Sequence, residues 1–262
     1  MTTWLKYGAF AWLGVVRGCS ERGELFGRML FVPLILGVFH ALWNAVGEAG
    51  MPVASAPNDL VWYLAATEWI VLSPPLIYVE LQQDVRSGDI AYALPRPVSY
   101  LVAMYCQGLG LLAVRATVLG FGIVACAFAL TRQLPEPGAV VWVVAFGCVA
   151  MSLITACYLL LGLAAFWVDD VMPLYWIWQK AMFLLGGLML PLEFYPDWFR
   201  RLATFTPFPS LLSGPASFLT VHASGSSVLA LATRLVFWLL VAALAGRVLF
   251  ALATRRLQLN GG

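Results

Sequence analysis

The sequence predicts an all-α integral membrane protein with six transmembrane helices, and three observations predict it. Of 262 residues, 62% are hydrophobic and 11% charged, against roughly 45–50% apolar and about 25% charged in soluble domains; so few charges cannot cover a water-facing globule. Six apolar runs approach or exceed the ~20 residues a bilayer core requires. The remaining charges gather at the ends of those runs. A formal charge of +2 without clustered cations excludes nucleic acid as the main partner. Cys19, Cys106, Cys126, Cys148 and Cys157 lie in apolar or Gly-rich stretches without a CxxC pair, which reads as packing rather than metal or redox work.

Residues 1–22 combine Trp4, Leu5, Phe10, Trp12 and Leu13 with Lys6, and Arg17 follows where a signal peptide would need small residues. This predicts an interfacial helix lying on the membrane surface. The spans are expected at 26–46, 60–79, 98–131, 138–168, 173–190 and 227–253. The third and fourth are longer than a ~30 Å hydrocarbon core needs at about 1.5 Å per residue, so they tilt or protrude. With the N-terminus inside, Lys6, Arg17, Arg22, Arg28, Arg86, Arg96, Arg255 and Arg256 face the cytoplasm and outnumber Arg132, Arg200 and Arg201 outside. The positive-inside rule therefore places both termini in the cytoplasm.

Two segments are neither span nor plain loop. Residues 84–96, between spans two and three, lie in the densest charge cluster, 78–98, with Glu80, Asp84, Arg86, Asp89 and Arg96 facing the cytoplasm. Ile90, Ala91 and Leu94 have the spacing of one short amphipathic turn that Asp89 can cap, and Pro95 and Pro97 stop it. Such an elbow suits a permease that takes force from a soluble motor; a solvated connection is the alternative. Residues 191–226, between spans five and six, are too apolar for a free loop and too broken for a span. Trp198, Phe199, Leu202 and Phe205 line one helical face. An outer gate, re-entrant at membrane depth, and a surface-anchoring helix both fit.

The elbow Asp84-Val-Arg-Ser-Gly-Asp-Ile-Ala-Tyr-Ala-Leu-Pro-Arg-Pro97 and the outer Leu190-Pro-Leu-Glu-Phe-Tyr-Pro-Asp-Trp198, followed by Thr206-Pro-Phe-Pro209, occur in an order and on sides of the membrane that resemble ABC-2 type transporter permeases. The resemblance is closest to the ABC-2 family transporter protein branch and covers essentially the whole chain as one transmembrane domain, 1–262. It implies a membrane subunit of an ATP-binding cassette exporter in the cytoplasmic (inner) membrane. In that family the elbow is the coupling helix, which places Asp84, Arg86, Gly88, Asp89, Arg96 and Pro97 against an ATPase, with Lys6, Arg17, Glu21 and Arg22 of the N-terminal helix nearby. Phe194, Tyr195, Pro196 and Trp198 would belong to the outer gate. The implied partners are two ATPase subunits, which would carry the ATP and Mg, a second permease chain, related or identical, and membrane lipids. Glu68, deep in span two, departs from the neutral residue the family pattern leads one to expect.

No phosphate loop is present: Lys6 and Lys180 are the only lysines and neither follows a glycine-rich turn. HExxH and GxSxG are absent, and the only histidines are His40 and His222, so neither a catalytic residue nor a metal site is expected in this chain. Ionisable groups within spans are functional suspects because burying charge in hydrocarbon is expensive. His40 and Asn44 stack one turn apart on span one, and Glu68 and Arg115 sit within spans two and three, where an ion pair between them would neutralise both. These four residues also support a second reading, a proton- or ion-coupled carrier, although no internal repeat of the kind such folds show is evident. An enzyme acting on lipids is a third reading, without paired catalytic groups to support it.

Overall fold

The computed structural model describes residues 3–49, 56–93, 98–220 and 224–260, and all regular structure among them is helical. Helix α1 (Thr3–Ser20) is separated only by Glu21 from α2 (Arg22–Glu48). Next come α3 (Pro57–Leu72), α4 (Ile77–Ser87), the short α5 (Asp89–Ala93) and α6 (Tyr100–Thr131). Helix α7 (Pro137–Leu163) ends in a 3-10 turn before α8 (Met172–Gly186). Then follow α9 (Asp197–Thr204), α10 (Phe208–Leu211), α11 (Ser213–Ala216) and α12 (Gly225–Asn260).

Proline sits in the first turn of α3, α7 and α8, where its missing N–H is no loss. Pro74 and Pro75, lacking donors, divide α3 from α4. Gly88 caps α4 and Gly187 caps α8 with φ of +80° and +70°, a conformation that costs glycine little.

By length and composition, five described stretches can cross a membrane: Arg22–Glu48, Pro57–Ser87, Tyr100–Thr131, Pro137–Phe166 and Gly225–Arg255. In its most apolar stretch the second is 83% buried, against 17% for the first and 11% for the last, so α3 is the axis of the bundle and α2 and α12 stand at its edges. Phe26, Leu30 and Leu34 on α2 and Leu229, Leu240 and Leu244 on α12 are bare. Such faces require lipid or another helix against them.

The expected fifth span, 173–190, is helical only in part, although it still runs from Val171 beside Gln82 of α4 to Gly187 beside Tyr63 of α3. Helix α8 has 15 residues, about 22 Å at 1.5 Å per residue, short of a bilayer core. It stops because its last carbonyls find partners inside the protein. The Tyr63 hydroxyl donates to the Gly187 carbonyl at 2.5 Å and the Thr67 hydroxyl to that of Leu188 at 2.7 Å, while Leu188 N–H closes back on Phe183 at 3.1 Å. Orphan backbone groups at a helix end are thereby satisfied away from water. Thr67→Val strands a buried carbonyl, and a loss of about 1–3 kcal/mol is expected, read as a lower unfolding midpoint in detergent, whereas an unchanged midpoint would discount this anchor.

Helix α1 packs closely along α6. Gly14 meets Gln107, Gly110 meets Ala11, and Gly18 meets Leu111 and Val114, while the Tyr7 hydroxyl receives the Ser99 N–H at 3.1 Å. The two helices thus run in the same direction, and α1 follows the first half of α6. Helix α2 continues that course, with Met29 against Gly122 and Leu25, Val32 and Leu36 clustered with Leu119, Ile123 and Ala127. Helix α3 runs the other way: Trp62 donates to the Gln133 carbonyl at 3.2 Å, and Trp69 to that of Ala116 at 2.8 Å.

Candidate functional site

At the joint between α1 and α2, four charges recur at spacings of four, three and four residues: Arg17, Glu21, Glu24 and Arg28. This spacing keeps them on one helical stripe, and the stripe faces α6 and α4. Arg115 of α6, only 4% exposed, donates to Glu21 and Glu24, both at 2.6 Å. Arg17 bonds Glu21 at 2.8 Å and reaches Glu80 of α4 at 2.7 Å. Arg28 bonds Glu24 at 2.7 Å and also donates to the Leu72 carbonyl at the end of α3. Three arginines and three glutamates therefore form one neutral chain of ion pairs joining α1, α2, α3, α4 and α6.

The expected Glu68–Arg115 pair is not formed. Arg115 takes its carboxylates from residues 91 and 94 positions away, whereas Glu68, 3% exposed, has no hydrogen-bonding or ionic partner among the described residues. His40 and Asn44 bond each other at 3.1 Å within α2. The four intramembrane polar residues thus do not converge on one site. Glu24 escaped the sequence reading, which took Arg28 and Glu80 only as cytoplasm-facing charges, although the four-three-four spacing was the signal that could have joined Glu24 and Arg28 to the stripe.

Burial alone would raise the Glu21 carboxyl, but hydrogen bonds from Arg115 and Arg17, with their charges, outweigh it and hold Glu21 below its ordinary 4.5. A depressed acid stabilises the fold above its ordinary pKa, and that contribution is lost as pH falls through the lower folded value. Between pH 5 and pH 3, about the ordinary carboxylate value, the melting temperature of the native protein is expected to fall more steeply than that of Glu21→Gln. Parallel curves would remove Glu21 from the network's stabilising role.

The elbow lies directly beside this network. Asp84 accepts the Tyr100 hydroxyl at 2.6 Å, tying α4 to the start of α6. Asp89 accepts from Ser87 at 2.7 Å as it opens α5. Ile90 is fully buried, while Arg86 is exposed and unpaired among the described residues. Gln82 holds the opposite flank, accepting from Val171 N–H at 3.1 Å, and Tyr78 and Leu81 pack over Gly162 of α7. Between α1, α4, α5 and α6 opens a cavity of about 630 Å³ whose charged lining is Glu80, Asp84 and Asp89. Lys6 and Arg22 lie outside the ion-pair chain, and Arg96 and Pro97 lie outside the described residues.

At the other end, α9 turns Ala203 inward, while Trp198, Leu202 and Phe205 are 68%, 52% and 81% exposed. The expected apolar face therefore exists but points away from the protein. Tyr195, preceding Pro196, stacks on Phe199 at 5.0 Å, and Phe194 is partly exposed.

Long apolar helices around a buried axial helix, locked by a chain of ion pairs at the α1–α2 joint, define a multi-pass helical membrane protein. The family model for ABC-2 family transporter protein matches residues 72–261, and the chain belongs to that family. The match takes in the elbow, Glu80, Arg115 and the outer segment; the stripe from Arg17 to Arg28 precedes it. No curated protein matches the chain.

Proposed function

We propose that this chain is the permease subunit of an ATP-driven exporter, moving its substrate outward across the cytoplasmic membrane with both termini inside. ATP and Mg are bound by two copies of a separate ATPase subunit, and a second permease chain covers the bare faces of the bundle edge. The observation that carries this reading is the continuity between the elbow and the spans. The acidic cavity beneath α4 and α5 is the docking surface, complementary to a basic segment of the ATPase, with Asp84, Asp89, Gly88, Arg86, Arg96 and Pro97 on the elbow side and Lys6, Arg17, Glu21 and Arg22 on the N-terminal side.

Displacement of α4 pulls on Arg17 through Glu80, and Arg17 transmits it to the α1–α2 joint and Arg115. Rigid helices joined by ion pairs convey such motion with little slack. Outer closure falls to the segment from Gly187 to Leu219, with Phe194, Tyr195 and Pro196 at the turn and Trp198 anchoring α9 in the outer interface. The separation of Glu68, His40 and Arg115 gives no support to a proton relay.

The test is co-purification with the cognate ATPase. Asp84→Lys and Asp89→Lys are expected to reduce ATPase capture about tenfold or more, as like charges at an interface cost several kcal/mol, and to abolish nucleotide-dependent transport. Undiminished capture and transport in both variants would overturn the docking assignment.

A further inference from the structure

A second cavity, of about 380 Å³, lies at the opposite end of the bundle, among Tyr63, Glu193, Arg200, Ser210, Ser213 and Arg234. Its volume is within the range of small-molecule sites, and charged and hydroxyl side chains are set into an otherwise apolar lining. Arg200 is engaged by Asp197 on its own helix. Arg234 and Glu193, by contrast, have no ionic or hydrogen-bonding partner among the described residues, and they are too far apart to pair although both line the same cavity. Ser210, 3% exposed, also leaves its hydroxyl without a partner there, while Ser213 donates to the Pro209 carbonyl at 3.1 Å and keeps its oxygen free to accept.

A lone anion entering this cavity gains Arg234 but meets Glu193, and a lone cation meets the reverse. A ligand carrying both charges satisfies both. The guanidinium of Arg234 suits a phosphate through its planar fork of donors, and Glu193 with the serine oxygens suits an ammonium. Beyond the cavity the same helix exposes Val236, Phe237 and Leu240, an apolar face for lipid beside the charged cavity.

We propose that this cavity is a binding site for the headgroup of a zwitterionic phospholipid, with its phosphate on Arg234 and its amine on Glu193, the acyl chains staying in the lipid beside α12. The site does not depend on the transport reading, because binding is measured without nucleotide or ATPase.

The test titrates the purified, delipidated full chain in detergent with phosphatidylethanolamine or phosphatidylglycerol and counts bound lipid by native mass spectrometry. Phosphatidylethanolamine is expected to bind about tenfold tighter, a difference of about 1.4 kcal/mol. Glu193→Gln should erase that preference and Arg234→Gln should weaken both lipids, while Arg201→Gln, on α9 but off the cavity, leaves binding unchanged. Equal affinity for the two lipids together with an inert Glu193→Gln overturns the proposal. Soluble glycerophosphoethanolamine separates the sources: failure to compete supports a membrane lipid, and competition at equal concentration overturns the lipid assignment in favour of a soluble zwitterion.

Discussion

Arg115→Leu is expected to be among the most damaging single substitutions in this chain. It removes the cation that holds Glu21 and Glu24 against α6 and leaves two carboxylates facing an apolar helix. Breaking a buried ion pair from one side costs about 3–5 kcal/mol; because Glu24 is 44% exposed and Glu21 20%, water screens part of the loss, and about 2–3 kcal/mol is the expected result. The triple variant Arg115→Leu, Glu21→Leu, Glu24→Leu, which removes all three charges, is expected to recover most of that stability and none of the transport. Thermal unfolding in detergent separates the two effects. If the single variant unfolds with the native protein, the ion-pair chain is not a structural joint; if the triple variant transports normally, it is not a coupling element.

Gly110→Val should be as severe by a different route. A Cβ at Gly110 would overlap the Ala11 carbonyl oxygen, and one at Gly14 would overlap that of Gln107. These are backbone atoms within helices and have no rotamer by which to yield. Close helix approach through small residues is how apolar helices gain contact where lipid competes equally for their side chains. Overpacking of this kind costs about 1–3 kcal/mol, and here it wedges α1 from α6. Earlier proteolytic cleavage within α1, together with a lowered unfolding midpoint, is the expected outcome. Protection equal to that of the native chain would show that α1 is held by its ion pairs alone. Gly8, with open space around it, is the control position, where the same substitution should cost little.

Both substitutions act on contacts that only partly announce themselves in sequence. The spans were legible because hydrocarbon demands long apolar runs, and α2, α6, α7 and α12 lie close to where hydropathy puts them. The elbow was legible because charge is scarce enough to stand out, and the Gly88 turn and the helical start at Asp89 follow from local chemistry. The partner of Arg115 was not. Glu68 is the acid that hydropathy places within a neighbouring span, but the α1–α2 joint brings Glu21 and Glu24 to the depth of Arg115, and no local rule reveals where a joint between two helices will come to rest. Helix α8 escaped for a similar reason: Met172 to Leu190 is apolar enough to continue, and only Tyr63 and Thr67, more than a hundred residues away, supply the donors that let it end early.

Composition and periodicity act through the solvent. Water and hydrocarbon reject the wrong surface whatever the neighbours are, so sequence alone specified a helical membrane protein, its apolar segments and its charged end. Pairing acts through distance. Which carboxylate neutralises Arg115, that α1 follows α6, and that Glu193 and Arg234 share one cavity without touching were decided when the helices packed. A side chain's partner is whatever backbone geometry brings within a few ångströms, and that geometry belongs to the whole chain rather than to any one segment.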